Sequence, residues 1–352
     1  MEFMSDFKGF LLKGRWIWLF LSLTAVFLGL AFLEYEKRPV SDDKGTVLLE
    51  IVPGMSLSEI PALMYQKGVI RNRWAFYWGV LQKNAFHRIQ AGEYELSPSM
   101  TLNEVLDILI KGLVKRYAVV VPEGFNVFDI ARRLNEMGLC SSSAFLRISH
   151  DPEFLRRVGV DADSLEGYLF PDTYWFVKKT SVERIAEAMI RRFWQVWNEN
   201  GYATRARSMD MRVKDVLTLA SIIEKETGIR EERPLVSAVL WNRLRKGMPL
   251  QADPTVIYGL LSEDEPARDT ITAADLRTPT PYNTYVIKGM PKGPICNPGK
   301  ASIEAALSPA DVPYLYFVAQ ADGSHHFSSD LREHNAAVYR YRRELADKDT
   351  GH

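Results

Sequence analysis

Cysteine is scarce in this 352-residue chain, which has only Cys140 and Cys296. No Cys/His cluster has zinc spacing, so a structural zinc module has no ligands to build from. The pair is far apart in sequence, and whether it bridges is open at this level. His325 and His326 are adjacent, which sends their side chains to opposite faces of a strand and argues against a shared metal. Net charge is also missing, since 44 Lys and Arg balance 44 Asp and Glu. A nucleic-acid binder is expected to carry a basic surplus, and none is present. No motif marks a Schiff-base lysine, which leaves a cytoplasmic pyridoxal-phosphate lyase without support. Hydrophobic residues make up 47% and charged residues 25%, an ordinary globular balance that excludes disorder. The length suits two modest domains plus an anchor.

One long apolar run is present. Residues 16–33, WIWLFLSLTAVFLGLAFL, carry no charge. Their number is near the lower limit for a helix that crosses a bilayer core. Trp16 and Trp18 stand at one end and Tyr35 at the other, where aromatic belts form. Lys8, Lys13 and Arg15 precede the run, and Glu34 and Glu36 follow it. This bias places residues 1–15 in the cytoplasm and everything after Glu34 outside it, although Lys37 and Arg38 reduce the asymmetry. A cleaved signal peptide fits less well, because the apolar region is long and no clean small-x-small site follows.

Residues 34–45 are polar, include Pro39 and Gly45, and suggest a linker. Val47 to Val52 then form a β-branched strand candidate closed by Pro53-Gly54. Ser58 to Lys67 has helical spacing, with Ile60, Leu63 and Met64 on one face, and stops before Gly68. The pattern returns downstream. Tyr117 to Val121 is followed by Pro122-Glu123-Gly124, and a helix carrying Ile130, Leu134 and Met137 stops before Gly138. Gly54 and Gly68 are fourteen apart, as are Gly124 and Gly138, and each unit continues to an Ala-Phe pair at 75–76 and 144–145. One such pair is too few for a solenoid. Between the copies, Tyr94 and Leu96 alternate as a strand. Thr101 and Glu104 fit a capping box before Val105, Leu106, Leu109 and Ile110, and Gly112 ends that helix. Residues 46–112 therefore form a small α/β domain, either a glycan or peptide binder or a spacer. From Ser181 to Lys246 the pattern is helical. The last hundred residues return to short strands and Pro-rich loops, with a charged helix over Asn335–Leu345 as a solvated flank. The fold class is α+β.

The stretch VKDVLTLASIIEKETG, residues 213–228, is the most informative. Val216, Leu219, Ile223 and Glu226 share one helical face, so Glu226 extends an apolar seam up to Gly228. A carboxyl there loses hydration and its pKa rises, as a general acid near neutral pH requires. Glu224 is the rival, on the opposite side. The bland alternative pairs Glu226 with Arg230 or Arg233. A second helix begins near Pro234, buries Val236, Val239, Leu240 and Leu244, and ends at Gly247 after Arg243, Arg245 and Lys246. Asp253 before Pro254 has the chemistry of an N-cap. Asp172 is expected to serve a turn or a cap.

Several segments together resemble the MltG (YceG-like) family of endolytic murein transglycosylases. They are LASIIEKETG (219–228), NRLRKGMPLQADPTVIYG (242–259), TPTPYNTYVIKGMPKGPICNPG (278–299) and PYLYFVA (313–319), with LEGYLFPDTY (165–174) and HHFSSDLREHN (325–335). The resemblance covers nearly everything after the linker, in one order and spacing. It implies a single inner-membrane helix at 16–33, a LysM-like domain over 46–112 and a lytic transglycosylase domain over 113–346 with a helical catalytic core. It also implies that the second glutamate of the E-x-E pair, Glu226, is catalytic. The implied substrate is the β-1,4 bond between N-acetylmuramic acid and N-acetylglucosamine, cut without water, metal or cofactor to leave 1,6-anhydro ends. Ordinary glycosidases use two carboxylates; here one suffices. Candidates to hold the sugars are Asn242, Gln251, Asp253, Tyr258, Tyr282, Asn283 and Thr284, in part because tyrosine rings stack on sugar faces. The implied partners are peptidoglycan strands and, through the family, their synthases. A non-catalytic binding scaffold and a hydrolase leaving reducing ends are the competing expectations.

Overall fold

The charge-free run forms the centre of the first element, α1 (Phe3–Tyr35). A computed structural model describes residues 3–261 and 270–349, with side chains over 16–261 and 270–343. The side chains of Lys8, Lys13 and Arg15 lie outside the described residues. Trp16–Tyr35 is long and apolar enough to cross a membrane, and none of it is buried against protein. The chain is mixed α+β, and among the described residues its strands form three two-stranded sheets. It divides into two units, Met1–Tyr117 and Ala118–His352.

The first unit continues with β1 (Val47–Ile51), α2 (Glu59–Gln66), α3 (Arg73–Gln82), β2 (Gly92–Leu96) and α4 (Leu102–Lys111). β1 and β2 are antiparallel, with Leu49 opposite Tyr94 and Val47 opposite Leu96. Period-two alternation turns Leu49, Ile51, Tyr94 and Leu96 onto Ile60, Met64, Phe76, Val80, Leu106 and Leu109. The Thr101–Glu104 capping box forms as its spacing predicts, and Gly112 closes α4 in the left-handed region at φ 62°. α3 has no counterpart in the sequence reading. Its aromatic residues blur the helical period, and it is set by packing: a Cβ on Gly79 would lie 2.6 Å from Leu106 Cδ1, so glycine lets α3 approach α4. Residues 34–45 are not a free tether. Val40 N–H donates to Pro98 O (2.9 Å), Leu102 N–H to Lys37 O (2.9 Å) and Arg71 Nε to Pro39 O (2.6 Å). Lys37 is buried.

The second unit runs β3 (Tyr117–Val120), α5 (Val127–Glu136), α6 (Ser142–Ser149), α7 (Pro152–Arg157), β4 (Thr173–Phe176), α8 (Val182–Glu199), α9 (Tyr202–Ser208), α10 (Val213–Glu226), α11 (Arg233–Arg245), α12 (Asp253–Gly259), α13 (Lys300–Leu307), β5 (Tyr316–Ala319), β6 (His325–Ser328) and α14 (Leu331–Asp349). β3 pairs with β4, and Val121 N–H donates to Asp172 O at 3.0 Å. The repeat seen in sequence is a repeat in backbone. Gly54 and Gly124 have φ of 85° and 80°, and Gly68 and Gly138 have 68° and 65°. In each copy the Ala-Phe pair lies on the next helix with its Phe buried. Asp172 accepts from Thr173 N–H (2.7 Å) and pairs with Arg192 (2.7 Å), a turn role.

α10 is the axis of the second unit. Every residue from Val216 to Ile223 is buried, so the helix is enclosed on all sides rather than along one seam. α11, α12 and α13 pack around it. Cys140 and Cys296 are both free thiols. Cys296 is fully buried and donates to Ser221 O at 3.4 Å on α10. β5 and β6 form an antiparallel hairpin with Phe317 opposite Phe327, and α14 packs on it through the buried Ala337. α14 is longer than the expected flank by about a turn at its start.

Candidate active site

Two residues along a helix are separated by about 160° of rotation, and this sends Glu224 and Glu226 into different surroundings. Glu224 Oε1 accepts from Arg233 Nη2 at 2.8 Å, and Oε2 from Gly299 N–H at 2.9 Å. Glu123 approaches the same guanidinium at 3.6 Å. The ion pair that sequence reasoning set against catalysis at Glu226 therefore exists, but it belongs to Glu224. Glu226, partly exposed, has no hydrogen bond or ion pair among the described residues. Burial, with the charge of Asp253 next and the cation of Arg243 opposing, raises its pKa from 4.5 to about 8.

The end of α10 is fixed by side chains. Thr227 leaves the helix in an extended conformation, φ −142° and ψ 133°. Thus the chain terminates the helix one residue before Gly228, on which the sequence reading relied. Thr227 Oγ1 accepts from Ile229 N–H (3.0 Å) and donates to Glu232 Oε2 (3.1 Å). Glu232 in turn takes His325 N–H (2.8 Å) and the His325 ring at Nδ1 (2.7 Å). A strand residue from β6 thereby holds the residue next to Glu226. Burial pushes the Glu232 pKa up, but the bonds from His325 and Thr227 outweigh it, leaving it below the ordinary value.

Asp253, Arg243 and Tyr285 stand near Glu226, and Tyr316 lies against Arg243. Asp253 is exposed and makes no N-cap bond, in contrast to the expected cap; its Oδ1 accepts the Tyr285 hydroxyl at 2.5 Å. Burial, then that hydrogen bond, keeps the Tyr285 hydroxyl well above its usual range. The buried Arg243 donates Nε to Leu315 O (2.7 Å) and Nη1 to Leu250 O (2.7 Å), and lies 5.3 Å from the Tyr316 ring centre. Sequence reading placed it only at a helix end.

The other candidates divide by what their polar atoms hold. Asn242 Nδ2 donates to Val312 O (2.8 Å) and Tyr314 O (2.9 Å). The buried Asn283 closes its loop by donating to Thr278 O (2.8 Å) and accepting from Tyr285 N–H (2.9 Å). Thr284 Oγ1 meets Ala252 N–H (2.9 Å) and Thr255 Oγ1 (2.8 Å). Thr284 thus ties the segment that carries Asp253 to the one that carries Tyr285, Asn283 holds the latter's loop, and Asn242 holds α11 to residues 312–314. Gln251 is exposed at φ 50°, beside Asp253. Tyr258 and Tyr282 are an edge-to-face pair 4.8 Å apart.

Tyr258 leads to a residue that the sequence reading missed. Its hydroxyl donates to Glu166 Oε2 at 2.9 Å. Val127 N–H donates to the same oxygen (2.9 Å) and Asn297 Nδ2 to Oε1 (2.9 Å). Glu166 is 1% exposed, and burial raises its pKa to about 8 against the lowering bonds from Val127 and Tyr258. It draws α5, α12 and the 294–299 loop together. Nothing in the periodicity marks it, because its partners lie 92 and 131 residues away.

A carboxyl whose pKa burial raises, partly open to solvent at a braced helix end and near a second carboxylate, is an arrangement suited to acid/base chemistry. The chain belongs to the YceG-like family, whose model matches residues 49–340. It is 35% identical over 334 residues to an endolytic murein transglycosylase of Bacillus subtilis, covering 89% of this chain and 91% of that one. It is 27% identical to one of Streptococcus pneumoniae, covering 85% of this chain and 59% of that longer protein. The crystal structure of a YceG-like protein from Listeria monocytogenes matches with a TM-score of 0.58 and 35% identity, over 84% of this chain and all of that one.

Proposed function

We propose that the protein is an endolytic murein transglycosylase, a lyase that cleaves the MurNAc–GlcNAc β-1,4 bond within peptidoglycan strands. The observation that carries the chemistry is the unpartnered, desolvated carboxyl of Glu226. Protonated, Glu226 donates its proton to the glycosidic oxygen as the bond to C1 breaks. The charge of Asp253 favours the positive charge that develops on the muramyl ring. Glu226, now ionised, takes the proton of the same sugar's C6 hydroxyl, whose oxygen closes on C1. One carboxyl thus serves as acid and then base, and the products contain no added water. Asp253, Gln251, Tyr258 and Tyr282 are the candidates to contact sugar. Asn242, Asn283 and Thr284 hold the walls, and Glu224 braces the helix.

In this reading α1 is a single-pass anchor in the inner (cytoplasmic) membrane with its N-terminus inside, and everything after α1 lies outside. Residues 46–112 of the first unit are a LysM-like module, and the family resemblance adds association with peptidoglycan synthases, which chemical crosslinking would fail to capture if there were none. The enzyme would set strand length near the membrane, as part of wall biogenesis.

The test is a digest of purified peptidoglycan by the native protein beside Glu226→Gln, read by mass spectrometry. Anhydro-muramyl ends from the native protein, absent from a folded variant, support the reaction and the residue. Reducing ends mean a hydrolase, and no product from either means a scaffold. Anhydro ends from both remove Glu226 from the mechanism.

A further inference from the structure

The outward face of α3 is apolar and aromatic, and it is exposed at Trp74 and Leu81. Trp74, Tyr77, Trp78 and Leu81 recur at helical spacing, while Ala75, Phe76, Gly79 and Val80 face the core. Trp74 is 74% exposed and Leu81 55%. The Trp74 and Tyr77 rings lie 5.8 Å apart, and Arg73 stands 5.7 Å from the ring of the exposed Tyr65. Between residues 64 and 88 the chain carries Lys67, Arg71, Arg73, Lys83 and Arg88, and no acid. Tryptophan and tyrosine with arginine around them is the composition that settles at a lipid headgroup boundary.

The position of this face is fixed relative to the end of α1. Glu34, at the end of the apolar run, accepts from Trp78 Nε1 (3.0 Å) and Gln82 Nε2 (2.9 Å). Arg71, just before α3, donates to Pro39 O and Val40 O, which follow α1. These bonds leave no slack through which the first unit could swing away from the membrane exit.

We propose that this face of α3 docks on the bilayer surface, seating Trp74 and Leu81 at the headgroup–acyl boundary with Arg73 toward lipid phosphates. The proposal rests on the reading of α1 as a membrane span. Glycan stacking on Trp74 is the rival occupant, disfavoured by Leu81 in the stripe and by the adjoining end of the span.

The test uses the full chain in vesicles of phosphatidylcholine with phosphatidylglycerol. In a Cys140→Ser background the buried Cys296 does not label, so an environment-sensitive fluorophore is placed by Trp74→Cys, Leu81→Cys, Leu48→Cys on the outward face of β1, or Leu23→Cys within α1. Lipid nitroxides near the headgroup are expected to quench positions 74 and 81 at least about threefold more than position 48. Deep nitroxides are expected to quench position 23. If position 23 responds while 74 and 81 behave like 48, the docking surface is refuted and the span stands. If position 23 does not respond, the span fails and the proposal with it. Loss of quenching at 74 on adding soluble peptidoglycan fragments would make the face a glycan platform instead.

Discussion

At neutral pH the Glu226 carboxyl is mostly protonated, because its pKa stands at about 8. With Glu226 as the acid, kcat/KM is expected to fall as pH rises through about 8, and a pH–rate profile checks this. Asp253→Asn removes the charge that helps hold the proton, so that limb should move to lower pH; an unmoved limb would separate Asp253 from the site. Glu226→Gln should reduce turnover at least about 100-fold. Stability follows pH in the same direction. A carboxyl whose folded pKa is raised favours folding fully below its unfolded value, near 4.5, and that contribution is lost as pH rises through about 8. Glu226→Gln should therefore melt higher than the native protein at pH 9 and nearly alike at pH 4. Partial exposure limits the gain to on the order of 1 kcal/mol, roughly 2–4 °C. Glu166 follows the same sign, but its partners make the substitute matter. Glu166→Gln keeps an acceptor, whereas Glu166→Ala takes the acceptor from the Tyr258 hydroxyl and the Val127 N–H in a buried place, at about 2–5 kcal/mol by thermal melting.

The end of α10 is a joint, and its two carboxylates fail differently. Glu224→Ala leaves the nearly inaccessible Arg233 with only the more distant Glu123, at about 3 kcal/mol in chemical denaturation. His325→Ala loosens the bond chain to Thr227 without opening the core, so kcat should fall more than KM rises. At this scale much was legible. The Thr101–Glu104 box, the proline start of α11 and the charge-free α1 follow from local chemistry, as do the paired glycine turns. α3 was not legible, because its aromatic run matches no single period and its helical state depends on Gly79 against Leu106. The seam assigned to α10 was only part of a helix buried all round, and periodicity cannot reveal the neighbours that cover its other side. Which glutamate takes Arg233 depended on the 299 backbone arriving from 75 residues away. For the same reason Glu166 was invisible.

Over the whole molecule, one strand–turn–helix pattern serves both units, with matching left-handed glycines at each turn. If α1 spans the bilayer, the full chain should remain in the membrane pellet after alkaline carbonate washing, and release into the supernatant would remove the anchor. Sequence alone gave the order of segments along the chain but not the bonds that pin residues 34–45 to the first unit. The thiols carry a different consequence. Cys296 lies sealed against α10, where burial raises its pKa well above the ordinary value and keeps it from forming the reactive thiolate. It has no disulfide partner, and neither does Cys140. The second unit, which holds both thiols, therefore has no oxidative step in its folding: it can mature at any redox potential, independently of oxidases and isomerases, and reductants leave its fold intact.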